Sequence, residues 1–246
     1  MRKFFMEELN LPHNIKRTVD KLVECIRNVY SDQLVCVALY GSAARGEYAG
    51  KYSNINLAIV LNDTSISSIK KAACLLNKNK FSIINPVFFT EDYIKKSLDV
   101  FPIEFLDMKE SHSVLYGKDI FKDLQIDIKN LRFQCEQELK SKILNIKKFC
   151  MRTSNKIILK NFLFKSATSS LHILRNLVRL KGKQPSCSKD GILDDVAREF
   201  AVDVGSLRSM LNAKNINARL GTKEIDQFFA QLVEILESIS DKVDLL

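Results

Sequence analysis

Long apolar runs are missing from this chain. None approaches the roughly 20 residues that a membrane-spanning helix needs. At the start, MRKFFMEELN sets Glu7 and Glu8 where a secretory leader would carry its apolar stretch. The chain is therefore expected to be cytoplasmic. Glycine and proline are scarce, 8 and 4 in 246 residues, and no segment repeats or falls into low complexity, which excludes collagen-like and disordered compositions. Histidine is rarer still. His13, His112 and His172 stand apart from one another and from every cysteine, so no metal-ligand or acid–base constellation forms around them. Cys25, Cys36, Cys74, Cys135, Cys150 and Cys187 are widely and irregularly spaced, with no C-x-x-C pair. Buried free thiols in a reducing compartment are expected instead.

Acidic residues are absent from one long stretch: between Lys140 and Lys183 there are twelve Lys and Arg and no Asp or Glu. The formal charge of +9 is accordingly uneven. Residues 1–125 carry 17 basic and 15 acidic side chains, a net of +2, and residues 126–246 carry 21 and 14, a net of +7.

Hydrophobic patterning divides the chain at about the same place. Residues 12–31 recur at helical spacing through Ile15, Val19, Leu22, Ile26 and Val29. Leu34–Tyr40, Asn56–Leu61 and Ile83–Phe89 are short continuous apolar runs of buried-strand type, and Ile103–Met108 and Ser113–Leu115 are further strand candidates. Thr64 or Ser65 is placed to cap a helix running to about Asn77, and Thr90 one running to Leu98. Alternating strands and helices give an α/β layer for residues 1–125. From residue 126 the signal is helical throughout: one stripe runs from Ile128 to Cys150, and further helices cover 155–180, 192–200, 204–211 and 222–243. The expected architecture is thus an N-terminal mixed α/β domain, 1–125, followed by an all-α bundle, 126–246.

The informative stretch is LYGSAARGEYAGKYSNINLAIVL, residues 39–61. A buried strand breaks at Gly41-Ser42, and the next strand opens with N-x-N. Gly41 lets a backbone approach a phosphate because no Cβ intervenes. Ser42 adds a hydroxyl and exposed N–H groups that suit an anion. Arg45, one turn on, has the fork geometry to clamp an oxyanion. Asn54 and Asn56, two apart on a strand, point to the same side.

On these residues the chain resembles the polymerase-beta-type nucleotidyltransferases, a superfamily that includes kanamycin nucleotidyltransferase and the minimal nucleotidyltransferases. Their signature is Gly-Ser, about ten residues, then D-x-D on the next strand. Gly41, Ser42, Ser53, Ile55 and Leu57 match that frame, and the local likeness covers residues 34–61. The resemblance implies a nucleoside triphosphate as partner, held by Gly41, Ser42, Arg45, Asn54 and Asn56. It also implies transfer of a nucleoside monophosphate through two Mg²⁺ ions held by the aspartates.

Here the resemblance breaks, because both aspartate positions are asparagine. Mg²⁺ prefers anionic oxygen, and each replacement removes a full charge. The following strand, FSIINPVFF, has Asn85-Pro86 and no acid. Impaired or lost metal-dependent transfer with nucleotide binding retained is the first expectation, with no intact catalytic residue and no metal. An active transferase drawing on Glu104, Asp107, Glu136 or Glu138, with Mg²⁺ as cofactor, is the second. A third is a module that binds nucleic acid or a partner protein through the basic bundle; a homodimer is a separate option for the chain.

Overall fold

The computed structural model describes residues 9–46, 48, 54–77 and 79–246. Glu7, Glu8 and Ser53, used above, lie outside the described residues. The chain divides into two compact units, Met1–Asp127 and Ile128–Leu246. Among the described residues no helix is long and apolar enough to cross a membrane.

In the first unit, helix α1 (His13–Tyr30) is followed by strands β1 (Leu34–Tyr40) and β2 (Ile55–Leu61). Short helices α2 (Ile66–Lys70) and α3 (Ala73–Leu76) precede β3 (Ile84–Phe89), and α4 (Glu91–Lys96) and α5 (Pro102–Glu110) precede β4 (His112–Gly117). The strands form one mixed sheet in the order β3-β2-β1-β4. β2 runs antiparallel to β1 and parallel to β3, and β4 is antiparallel to β1. Pro86, which has no N–H to give, sits on the edge strand β3, where a ladder donor can be spared.

Strand alternation sorts the side chains into two cores. Val37, Leu39, Leu57 and Ile59 pack with Ile15, Val19, Leu22, Ile26 and Tyr30 of α1. Cys36, Ala38, Ala58 and Val60 face the other way, against Ile94, Phe105, Met108, Phe121 and Leu124. Small residues on that second face make room for the two phenylalanines. Burying a side chain of this size is worth roughly 1.5–3 kcal/mol, so the two faces fix the register of the sheet.

Four expectations need correction. The stripe of α1 ends on Tyr30 (3 % exposed), four residues after Ile26, and Val29 is 37 % exposed. Tyr30 can be buried because its hydroxyl donates to the carbonyls of Ser68 and Ile69. The helix expected from Ser65 to Asn77 is two helices. Lys71 and Ala72 close three-residue turns onto Ser68 and Ile69, the carbonyls that the tyrosine also uses. Ser65 is its cap, accepting from the Ser68 N–H, and Thr90 caps α4 by accepting from Tyr93. Ile103–Met108 is not a strand but the body of α5, with Pro102 in its first turn. Lastly, of the six free cysteines only Cys36 and Cys135 are buried, and burial pushes both thiols up to about 12; Cys74, Cys150 and Cys187 are exposed.

Among the described residues the regular elements of the second unit are all helices: α6 (Ile128–Cys150), α7 (Lys156–Leu180), α8 (Lys189–Phe200), α9 (Gly205–Asn215) and α10 (Thr222–Asp244). Leu131, Cys135, Leu139, Ile143 and Ile146 form the buried stripe of α6, while Ile128 and Cys150 at its ends are exposed. Asn155 caps α7 by accepting from the N–H groups of Ile157 and Ile158.

Candidate nucleotide site

β1 delivers Tyr40 to the sheet end, and the chain turns there with Gly41 at φ +75°. That left-handed angle is the reason for glycine. Gly41–Ala43 is a tight turn whose first carbonyl accepts from Ala44 and Arg45. The N–H groups of Ser42 and Ala43 belong to the opening of that turn, where a helical start leaves donors over.

Tyr40 is the cross-strand partner of Asn56, and Asn56 is in register with Asn85 on β3. The three therefore share the face of the sheet that also carries Ala38, Ala58 and Val60. A methyl group added to Gly41 would stand 3.2 Å from Asn56 Nδ2, so the turn and the asparagine are close neighbours. On its other side Asn85 Nδ2 donates to Asn56 Oδ1 at 3.2 Å. Asn54 is exposed just ahead of the strand.

Arg45 lies beside a carboxylate. Its Nη1 is 3.9 Å from Asp107 Oδ1, with the two side chains 18 % and 16 % exposed. Glu104 and Asp107 reach this neighbourhood from helix α5, not from the strand that the sequence suggested. Burial first, and then the negative charge of Glu104, raises the Tyr40 hydroxyl above its ordinary value. Among the described residues no three of His, Cys, Asp and Glu are grouped to hold a metal ion.

Gly41 and Asn56 are thus brought together, Arg45 is drawn to Asp107, and Asn54 stands at the exposed rim. Sequence reasoning gave no part to Tyr40, although its place as the last residue before Gly-Ser puts it opposite the N-x-N motif. Asn85 was read only as the lack of an acid. Its bond to Asn56 depends on parallel pairing between strands 29 positions apart.

The run of twelve cations in the helical unit is not one charged face. Lys140 is paired with Glu136 and Asp244, and Lys147 with Glu237. Arg175 and Arg179 are buried, donating to the Cys187 carbonyl and to Asn176 Oδ1. Lys181 lies over the Phe200 ring. Phe149 and Phe162 stack on each other, centroids 3.7 Å apart.

No protein-family model matches the chain, and no curated protein sequence does. Solved structures do. Spectinomycin adenyltransferase AAD(9) from Enterococcus faecialis, determined with ATP and spectinomycin, superposes with a TM-score of 0.59 at 12 % identity. The match covers 90 % of this chain and 98 % of that one. The fold is nucleotidyltransferase-like, with the mixed sheet first and the helical region after it.

Proposed function

We propose that the first unit binds a nucleoside triphosphate on the Gly41-Ser42 turn without Mg²⁺, and that two-metal nucleotidyl transfer is impaired or lost. In this reading the Ser42 and Ala43 N–H groups and the Ser42 hydroxyl take phosphate oxygens. Asn54 and Asn56 offer amide donors that a carboxylate lacks, and Arg45 is released from Asp107 to the anion. The ATP in the structure of the adenyltransferase neighbour supports a triphosphate as the ligand.

One observation carries the reading: the oxygen of Asn56 that would ligate a metal already accepts a hydrogen bond from Asn85. The donors gathered there are neutral amides, and Mg²⁺ selects anionic oxygens. These residues do not fit the ion. Of the four acids that could serve a transferase instead, Glu104 and Asp107 come from α5, and Asp107 lies 3.9 Å from Arg45.

The test is equilibrium binding of ATP and GTP to the whole chain, in Mg²⁺ and in chelator. Similar affinity in both conditions is expected. Binding that requires Mg²⁺, or nucleotide transfer to an acceptor at ordinary enzymatic rates, would sink the proposal.

A further inference from the structure

Lysines from two helices, Lys165 of α7 and Lys214 of α9, meet at one hollow of the helical unit. The hollow has a volume of 410 Å³ and is lined by Asn161, Phe164, Lys165, Thr168, Ser169 and Lys214. Asn161, Lys165 and Thr168, spaced by four and then three, present one face of α7. Lys214 arrives from the last turn of α9 and donates to Thr168 Oγ1 at 2.7 Å. From α6, Lys142 donates to Ser169 Oγ. The Thr168 hydroxyl itself donates to the Phe164 carbonyl and the Ser169 hydroxyl to the Ser166 carbonyl, so it is the ammonium groups, with three N–H donors each, that have hydrogens left for an incoming anion.

No acidic side chain lines the hollow. Burial pushes the Lys142 ammonium below its ordinary value; Glu138 opposes it, and the weaker influence of Lys165 adds to it. Burial and then Lys189 do the same to Lys214. Partial burial is the main cause in both cases, and a bound anion offsets it by favouring the charged form. Lys165 and Lys214, on a hollow lined by no acid, thus differ from Lys140 and Lys147, whose charges are met by carboxylates.

We propose that this hollow binds a small phosphate-bearing molecule. Lys165 and Lys214 meet the phosphate with their ammonium groups, and Asn161 and Phe164 hold the rest of the ligand. The volume lies in the range of small-molecule sites. A nucleic-acid strand would instead need a groove that tracks its backbone, with aromatic faces for its bases. The site is separate from the Gly41-Ser42 turn and does not depend on the reading of that turn.

The experiment is calorimetric titration of the whole chain with inorganic pyrophosphate at constant ionic strength. It is repeated on the double variant Lys165→Gln/Lys214→Gln and on Arg45→Gln. Both lysines are exposed, so the double variant should fold, and circular dichroism checks this. Losing two charge-assisted contacts should weaken binding at least about tenfold, while Arg45→Gln should retain that binding component. The proposal is overturned if pyrophosphate does not bind, if only Arg45→Gln loses it, or if the double variant binds as well as the natural chain. It is also overturned if a single-stranded oligonucleotide binds through these lysines and pyrophosphate cannot displace it.

Discussion

At Asn56 an amide stands where the resemblance calls for a carboxylate, and Asn85 donates to its oxygen. The substitution could be seen in the sequence; the bond could not, because only the pairing of β2 with β3 brings residues 56 and 85 side by side. Two glycines separate a local requirement from a structural one. At Gly117 (φ +81°) an added Cβ would lie 2.0 Å from the Val35 carbonyl oxygen, a backbone atom that can move only with strand β1. At Gly41 it meets only the end of the Asn56 side chain, at 3.2 Å. Gly41→Ala should therefore cost about 1–2 kcal/mol, the usual penalty for a left-handed non-glycine residue. Gly117→Ala should cost at least about twice that, since the strand itself must shift. Urea denaturation of the two variants checks the order, and equal losses would contradict it.

Among elements, the clearest sequence signals were runs that obey one period. Leu34–Tyr40 is a strand over the full length of its apolar run, and the stripe from Leu131 to Ile146 is the buried face of α6. α5 was missed because its buried residues Ile103, Phe105 and Met108 follow neither the strand nor the helix period. Pro102 at the start and Glu104 in the first turn were the available helix signals. The β4 edge has a pH dependence of its own. His112 Nε2 lies 3.0 Å from Asp119 Oδ1, which also accepts from the N–H groups of Phe121 and Lys122. Burial works to raise the Asp119 carboxyl, but those N–H groups and the histidine outweigh it and hold it below its ordinary value. A lowered folded-state pKa gives stability that is present above the unfolded value, about 3.9, and lost as pH falls through the folded one. Asp119→Asn should accordingly lose less stability than the natural chain between pH 5 and pH 2, measured by denaturant midpoints. Parallel pH profiles would remove Asp119 from that account.

At the scale of the molecule, the change from alternating strands and helices to helices alone was plain in the sequence, and the adenyltransferase neighbour shares that order over 90 % of this chain. The twelve-cation run was legible as charge but not as surface. Which lysines meet carboxylates, as Lys140 meets Asp244, and which gather at a hollow depends on helix packing across up to about a hundred residues. The central proposal is that the Gly41-Ser42 turn binds phosphate although Asn54 and Asn56 stand where the resemblance calls for metal-ligating carboxylates. Restoring both charges with Asn54→Asp and Asn56→Asp changes two side chains at near-constant shape, one on the sheet and one at its exposed rim, so the turn and the sheet should survive. The most direct measurement is ATP binding by the natural chain and by this double variant, each titrated with Mg²⁺. The account predicts little change with Mg²⁺ for the natural chain. In the variant, two added carboxylates should weaken metal-free binding and make it depend on Mg²⁺, by about tenfold for each 1.4 kcal/mol of restored metal contact. Equal Mg²⁺ dependence in the two proteins would contradict it.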